Sequence, residues 1–317
     1  MVMVWGSSSP LCAASFSGMG NGRDFAKSIT KRMEQSSQLP PHLTLLKREE
    51  GREIPRSTSE INDRSMRAYN EQYWYGENFL ADYIGLADYV GKKILEVGPA
   101  EAGLLKFLNE QGANCTGMEL SPLRFSHSEL LLSDNSEIKL EKGDICNSDS
   151  YLETLTEKFD VIIIRDVIEH IEDKLAALRN MFDLLSNEGR LFISFPPRYC
   201  AYAGHQQTVK SIFGKIPYLH LLSNTFYSAY LRMLGHPETG IDYLMATKMT
   251  RVSVRKMERL FSEAGYKIEK RGLFFFRPAY RFRFHLPTLK NPLSWLFGFR
   301  ELLTNGALYV LEKRTNN

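Results

Sequence analysis

Apolar and polar positions alternate in blocks along the middle of this chain. Apolar runs at 94–97, 161–164 and 190–195 are short and rich in Ile, Val, Leu and Phe, which is typical of buried strands. Helical spacing of apolar residues follows the first two runs, at 104–112 and at 167–186. Strands that alternate with helices predict an α/β fold with a doubly wound, mostly parallel sheet and right-handed crossovers.

The last part of the chain departs from this alternation. Residues 253–276 predict a helix followed by a strand, and ALYVLEKR at 307–314 predicts an antiparallel C-terminal partner for that strand. An aromatic, helical stretch at 198–250 and a basic, aromatic stretch at 278–305 interrupt the order. We therefore expect one domain over 64–317 with two insertions, the first of which forms a substrate cap.

Residues 1–60 are rich in Ser, Pro, Gly and charged side chains, so we expect a disordered leader with a short helix near 25–33. The leader has no basic segment followed by a long apolar core, and no apolar run in the chain is long enough to span a bilayer. The four cysteines have no CxxC spacing and indicate reduced thiols. These features predict a cytoplasmic protein.

A small-residue turn, GPAEAG, follows the first predicted strand. Gly98, Ala100 and Gly103 would let the backbone approach a ligand, and Glu96 and Glu119 are acids in or at the end of neighbouring strands. A carboxylate in the position of Glu119 can accept hydrogen bonds from both hydroxyls of a ribose. Residues 94–103 alone also fit an ordinary strand–loop–helix turn, and Glu119 at this distance favours a nucleotide site.

Candidate acid–base residues follow two other predicted strands. Asp166, Glu169 and His170 come after the strand at 161–164, and a helix beginning near residue 167 would place them on one face. His205 lies in an aromatic loop past the carboxyl end of the strand at 190–195, where such sheets bind ligands. We expect Tyr199, Tyr202 and Gln206 to line the same pocket.

Over about residues 70–315 the chain resembles the class I S-adenosylmethionine-dependent methyltransferases. ILEVGPAEAG is similar to their cofactor loop, Glu119 to their ribose acid, and GDI to their adenine contact; FDVIIIRDVIEHI and LLSNEGRLFISFPP resemble the next two segments. The resemblance implies S-adenosyl-L-methionine as cofactor. The residues expected to bind it are Glu96, Gly98, Ala100, Gly103, Glu119, Asp144, Ile145 and Asp166, and the expected catalytic residues are His205, Asp166 and His170.

The spacing Asp-x-x-Glu-His also resembles that of ubiquinone-biosynthesis O-methyltransferases and of small-RNA 3′-terminal methyltransferases, in which the cluster binds a divalent metal. That resemblance implies a metal site at Asp166, Glu169, His170 and His205. In relatives without a metal, the histidine packs beneath the cofactor. We favour that second interpretation, with no metal.

Two other functions compete with methyl transfer. Gly98-x-Ala100-x-x-Gly103 loosely fits the dinucleotide pattern of a dehydrogenase, but GDI and DVIEHI have no place in that pattern. A non-catalytic binding or scaffold protein is the second alternative. It is motivated by Ala100 and Ala102, because alanine disfavours the positive φ that glycine permits in such loops.

The acceptor is expected to be a small molecule, a glycan or a lipid-like compound, methylated on oxygen. The net charge of +3, from 40 basic and 37 acidic residues, disfavours nucleic acid. Arg277, Arg281 and Arg283 are candidates for contact with phosphate, carboxylate or an anionic membrane, so peripheral membrane contact is open. The aromatic residues Tyr69, Tyr73, Trp74 and Tyr75 are expected either to close the cofactor site or to belong to the core.

Overall fold

The computed structural model describes residues 49, 54–55, 57–86 and 88–314, apart from the side chain of Gln207. The predicted helix near 25–33 and most of the predicted leader lie outside these residues. Within the described residues, no helix is long and apolar enough to cross a membrane.

A mixed sheet of eight strands forms the centre of the described part of the chain, in the order β3-β2-β1-β4-β5-β8-β6-β7. The strands are β1 (Lys93–Val97), β2 (Asn114–Glu119), β3 (Lys139–Lys142), β4 (Phe159–Arg165), β5 (Leu185–Phe195), β6 (Tyr266–Phe276), β7 (Leu289–Lys290) and β8 (Gly306–Lys313). The first five pair in parallel. β8 lies antiparallel between β5 and β6, and β7 is antiparallel to β6, which confirms the predicted antiparallel end of the sheet.

Helices connect and flank these strands. They are α1 (Asp63–Tyr75), α2 (Ala81–Ile84), α3 (Gly103–Glu110), α4 (Pro122–Leu131), α5 (Lys174–Leu184), α6 (Asn224–Met233), α7 (Glu238–Thr250), α8 (Val254–Glu263), α9 (Ala279–Phe284) and α10 (Phe297–Leu302). A π-helical turn, Gly76–Leu80, joins α1 to α2. Helix α2 ends at Gly85, whose φ of 71° is left-handed.

Alternate side chains of the central strands point to opposite faces of the sheet, and each face has its own core. In β4, Ile162 and Ile164 pack with α5 and α8, whereas Val161 and Ile163 pack with α2 and α3. Because β4 is fully buried on both faces, it reads as a continuous apolar run rather than an alternating one. This arrangement confirms the predicted doubly wound α/β fold.

Two segments of the described chain interrupt the alternation of strands and helices. Residues 198–250 contain several 3₁₀ turns, α6 and α7, and they have a small core of their own that includes Tyr227, Leu231 and Leu244. Residues 278–305 contain α9, β7 and α10. We call residues 198–250 the cap.

The structure corrects three element boundaries. β5 begins at Leu185 rather than at 190, with a register shift opposite Phe159 and Val161. β3 ends at Lys142, two residues before Asp144. The third correction concerns the helix predicted at 167–186. Residues Ile168–His170 form a 3₁₀ turn, and α5 begins only at Lys174.

The late start of α5 has a local cause. Asp173 caps the helix, because its side chain accepts a hydrogen bond from the amide of Ala176 at 2.9 Å. Ile168 and Ile171 are both buried, and Ile171 is extended. Burial of these two side chains in the core therefore outweighs the helical pattern across residues 167–173.

Candidate functional site

A cavity of about 640 Å³ lies at the carboxyl edge of the parallel strands. Four parts of the chain line it. The strand ends and the loops after them contribute Val97, Gly98, Glu101, Met118, Glu119, Leu120, Gly143, Asp144, Ile145, Asp166, Val167, His170 and Ile171. Helix α4 contributes Leu123, Arg124 and His127, the cap contributes His205, Thr208 and Tyr243, and the segment before and within α1 contributes Glu49, Pro55, Glu60, Asn62, Arg64, Ser65 and Ala68. This is the place where open α/β sheets bind ligands.

Glu119 holds the turn after β1 in place. Its Oε2 accepts a hydrogen bond from the amide of Ala100 at 3.1 Å, and its Oε1 accepts one from the amide of Ser121 at 2.9 Å. Burial raises the pKa of Glu119, against the opposing influence of Arg124. The carboxylate lines the cavity while bracing the loop, and its remaining lone pairs suit a polyol such as ribose.

The turn itself adopts a left-handed backbone at three positions, Gly98 (φ 73°), Ala100 (φ 53°) and Ala102 (φ 61°). At Gly98 a Cβ atom would lie 2.6 Å from a methyl group of Val167, so this glycine is needed for close approach as well as for its φ. Ala100 and Ala102 adopt the same left-handed backbone conformation although each carries a Cβ atom, and this conformation costs alanine free energy.

Three residues expected to bind the cofactor do not line the cavity. Ala100 lies in the turn, where its amide donates to Glu119 and its carbonyl accepts a hydrogen bond from the hydroxyl of Ser128. Gly103 packs on α1, since a Cβ there would lie 2.0 Å from the carbonyl oxygen of Tyr69. Its amide donates to Oε1 of Gln72 at 2.9 Å, and Gln72 donates in turn to the carbonyl of Pro99 at 3.1 Å. These glycine and glutamine contacts position the loop.

Glu96 is the third of these residues. It is buried within β1, and one of its carboxylate oxygens has no hydrogen-bond partner. Burial raises its pKa to about 7, Arg165 opposes that shift, and Glu119 adds to it. Glu96 is therefore a buried acid within β1 and is not part of the cavity wall.

Asp144 and Ile145 line the cavity as expected, although they lie in a turn after β3 rather than at the end of the strand. The Oδ1 atom of Asp144 accepts a hydrogen bond from the amide of Cys146 at 2.9 Å. An acid followed by an apolar side chain suits a purine, which offers an amino donor at its edge and a flat apolar face.

Asp166 lines the cavity just past β4, with a φ of 56°. Its carboxylate pairs with the guanidinium group of Arg277. Burial alone would raise the pKa of Asp166, but the charges of Arg277 and Arg165 outweigh it and hold that pKa below its usual range. Asp166 is therefore an anion fixed in place, and the proposed role for it is positioning.

Two of the three arginines expected to meet an external anion form internal ion pairs instead. Arg277 pairs with Asp166, and Arg283 makes a bidentate contact with Glu71 of α1 at 2.6 and 2.7 Å. Glu71 also lies 3.9 Å from Arg165. Arg283 joins the second insertion to α1, and Arg277, just past β6, joins that strand to the end of β4.

Two histidines and a tyrosine meet at the cap side of the cavity. The rings of His170 and His205 are 5.2 Å apart in an edge-to-face arrangement, and the hydroxyl of Tyr243 lies 3.4 Å from Nδ1 of His205. Burial, reinforced by Arg251 and Arg124, lowers the pKa of His170 well below its usual value. A neutral His170 therefore lies beside His205, and a backbone φ of 54° holds His205 in a left-handed conformation.

Three of the four expected metal ligands come together, since ligand atoms of Glu169, His170 and His205 lie within 4.8 Å of one another. Asp166 is turned toward Arg277 and does not join them. The Glu169 carboxylate faces the buried guanidinium of Arg251 at 3.4 Å. A cation bound there would lie beside that positive charge, so the donor set fits a metal poorly.

The predicted helical face of Asp166, Glu169 and His170 does not form. Glu169 and His170 lie in the 3₁₀ turn, and Asp166 precedes it with a left-handed backbone. The three residues nevertheless stay at the same strand end. Of the other residues expected in this pocket, Tyr199, Tyr202 and Gln206 do not line the cavity; Gln206 is buried and donates to the carbonyl of Ala201 at 2.8 Å.

Sequence reasoning missed several residues that line the cavity, above all Tyr243 and Arg124. Arg124 could have been found, because it lies one turn into the helix that follows Glu119. Glu49, Pro55 and Glu60 also line the cavity, so the leader does take part in the site at these positions. Residues 69 and 73–75 do not line it, and Tyr73 instead donates to Glu110 on the far side of α3.

Comparisons with known proteins find methyltransferases. A family model described as a methyltransferase domain matches residues 72–271. The ubiquinone biosynthesis O-methyltransferases of Pseudomonas fluorescens strain Pf-5 and Pseudomonas entomophila strain L48 are 27% and 26% identical to this chain over 117 residues. That stretch is 37% of this chain and 48% of each relative, so the chain spans about half the length of the curated relatives it matches.

Solved structures are similar at lower identity. The plantazolicin methyltransferase BpumL, in complex with a pentazolic desmethylPZN analog and SAH, is 15% identical with a TM-score of 0.49, over 93% of this chain and 100% of that one. An S-adenosylmethionine dependent methyltransferase from Mesorhizobium loti is 14% identical with a TM-score of 0.45, over 73% and 95%.

Proposed function

Since this chain belongs to the methyltransferase-domain family and its domain is of the class I, S-adenosylmethionine-dependent type, we propose that the whole protein methylates an oxygen atom of a small-molecule, glycan or lipid-like acceptor. The observation that carries the proposal is the single cavity shared by a buried ribose-type acid, Glu119, and by the paired histidines His170 and His205. The names of the curated relatives support oxygen as the methylated atom.

The cofactor would be held by residues at three strand ends. Glu119 is suited to the ribose, Asp144 and Ile145 to the adenine, and Gly98 leaves room for the backbone to approach the ligand. When bound, S-adenosylmethionine supplies an electrophilic methyl group on a positively charged sulfur. Asp166, kept ionised by Arg277 and paired with it, adds carboxylate oxygens that accept hydrogen bonds to the same wall, while the pair as a whole carries no net charge.

The protein's chemical task is to hold an acceptor hydroxyl in line and to remove its proton. The oxygen–carbon bond forms as the carbon–sulfur bond breaks, and the products are a methyl ether and S-adenosylhomocysteine. We assign His205 as the base that takes the hydroxyl proton, because it lines the cavity from the cap and its ring nitrogen can accept a proton. Neutral His170 packs beside it without adding a competing positive charge.

The test is methyl transfer by matched variants. The protein is incubated with methyl-labelled cofactor and a metabolite and lipid extract, and labelled products are identified by mass spectrometry. His205→Gln should reduce label transfer about 100-fold while cofactor affinity stays within about twofold. Unchanged transfer in His205→Gln would remove the base assignment. Transfer abolished by a chelator and restored by a divalent cation would replace it with the metal interpretation.

A binding or scaffold function is the second candidate, and the left-handed Ala100 and Ala102 favour it, since they strain the cofactor loop. The two candidates differ in one measurement. A scaffold would bind the cofactor in calorimetry and transfer no label to any component of the extract, and His205→Gln would then have no effect to measure.

A further inference from the structure

Helix α6 in the cap is apolar on two faces. Tyr227 and Leu231 point inward and are fully buried in the core of the cap. Phe226 and Met233, seven residues apart and therefore on one side of the helix, are 72% and 73% exposed. A helix on the surface of a globular domain ordinarily carries polar residues on its outer side.

The exposed apolar side of α6 continues onto the preceding turn. Ile212 and Phe213 are 76% and 63% exposed. The hydroxyl of Tyr230, one turn along α6 from Phe226, donates to the carbonyl of Phe213 at 3.1 Å and holds that turn against the helix. Four large apolar side chains are thus presented on one fixed surface.

A second exposed apolar group comes from the insertion at 278–305 and adjoins the cap. It contains Trp295 and, in α10, Phe297, Phe299 and Leu302, all of them exposed. The hydroxyl of Tyr218 in the cap donates to the carbonyl of Leu302 at 3.2 Å, so the two insertions are in contact. We call the exposed residues Ile212, Phe213, Phe226, Met233, Trp295, Phe297, Phe299 and Leu302 the apolar face.

The charge of the two insertions is strongly positive. Residues 198–250 and 278–305 together hold nine Lys and Arg and three Asp and Glu, a net charge of +6, whereas the whole chain carries +3. Of the three acids, Glu301 is buried and accepts the amides of Val254 and Arg255, and Glu238 is paired with Arg232. The rest of the chain is therefore net negative, and the positive charge is concentrated where the apolar side chains are exposed.

Two lysines flank the apolar turn closely. Lys210 and Lys215 are exposed on either side of Ile212 and Phe213. Large apolar side chains framed by lysines match the interface of a bilayer, where the rings enter the acyl boundary and the ammonium groups stay among anionic head groups. A second copy of the chain would bring two surfaces of the same sign together, which opposes self-association through this face.

We propose that the apolar face docks this protein on the surface of an anionic lipid bilayer. The cap that carries most of the face also supplies His205, Thr208 and Tyr243 to the cavity. Docking would therefore anchor the element that closes the acceptor side of the site. The proposal is independent of methyl transfer, since it rests on exposure and charge alone.

The test is flotation of the full chain with vesicles of phosphatidylcholine, with and without about 30 mol% phosphatidylglycerol. Binding should require the anionic lipid and fall as salt rises. Phe213→Ser/Phe226→Ser should lower the bound fraction about tenfold or more, since each buried ring contributes strongly to partitioning. Lys210→Gln/Lys215→Gln should lower it about tenfold.

A matched control tests whether loss of vesicle binding is specific to the apolar face. Val90→Ser/Leu152→Ser removes two other exposed apolar side chains, 68% and 53% exposed, outside both insertions, and should leave binding unchanged. Circular dichroism and cofactor affinity check that each variant is folded. Absence of binding to anionic vesicles at low salt, equal binding to neutral vesicles, or equal loss in the control would each overturn the proposal. A dimer in ultracentrifugation that Phe213→Ser/Phe226→Ser dissociates would assign the face to a second copy and overturn it too.

Discussion

The hydroxyl of Tyr243 lies 3.4 Å from Nδ1 of His205, and the two side chains come from different parts of the cap. The contact joins α7 to the loop after β5 across 38 positions of sequence. A hydroxyl at Nδ1 biases which ring nitrogen carries the proton. Tyr243 is therefore a positioning residue for the proposed base.

Tyr243→Phe should lower the rate of label transfer about tenfold and leave cofactor affinity within about twofold, because the base loses its orienting partner while the strand ends are untouched. Nitrogen-15 NMR of the His205 ring should show a changed ratio of the two tautomers. Tyr230→Phe, which removes a hydroxyl bonded to the carbonyl of Phe213 in the same cap, is the control. An unchanged tautomer ratio in Tyr243→Phe would contradict the positioning role.

Glu119→Ala should weaken cofactor binding about 100-fold in calorimetry, because it removes the ribose partner and leaves the amide of Ala100 without its acceptor. Glu119→Gln should lose about tenfold, since an amide oxygen still accepts one of these bonds. Glu129→Ala, an exposed acid on α4, should bind as the wild type does. Equal binding by Glu119→Ala and the wild type would contradict the assignment.

Much of the site could be predicted because strand ends are visible in the sequence. Glu119, Asp166 and His170 each follow or end a recognisable apolar run, and parallel strands bring their carboxyl ends to one edge. Asp144 also lines the cavity, although its strand ends two residues before it.

The parts that could not be predicted depend on contacts between distant segments. The pairing of Arg277 with Asp166 spans 111 positions, and that of Arg283 with Glu71 spans 212. The residues around an arginine in a basic stretch do not indicate that it will form an ion pair with a distant acid of the same chain. Tyr243 shows the same limit, because only the folding of the cap brings α7 over the cavity.

The Ala100→Gly variant should have a higher free energy of unfolding than a variant that carries glycine at another buried alanine. Ala100 is 6% exposed and stands at a φ of 53°, a conformation that costs alanine about 1–2 kcal/mol and costs glycine little. Ala177→Gly, at a fully buried alanine within α5, is the control, since it loses the same methyl group in a right-handed helix. The free energies of unfolding of the two variants, from urea titration, should differ by about 2–3 kcal/mol in favour of Ala100→Gly, because glycine also costs about 1 kcal/mol within the helix at position 177. A difference of only about 1 kcal/mol would mean that the turn is not strained.

Glu96→Gln should change how stability depends on pH. Burial raises the pKa of Glu96 from 4.5 to about 7, so between these values the folded protein holds a proton that the unfolded chain has lost. The wild type therefore loses stability as pH rises through this window, by up to about 1.4 kcal/mol per pH unit from this group. The glutamine side chain cannot ionise, so the variant should lack this loss and become the more stable of the two above pH 7.

The measurement is the free energy of unfolding of both proteins by urea titration at several pH values, and the quantity of interest is their difference. His170 acts in the opposite direction, because its lowered pKa costs stability as pH falls below the usual histidine value. That contribution is common to both proteins and cancels in the difference. A constant difference between Glu96→Gln and the wild type would show that the buried carboxyl ionises at its ordinary pKa, and that its unpartnered oxygen is solvated in the folded protein.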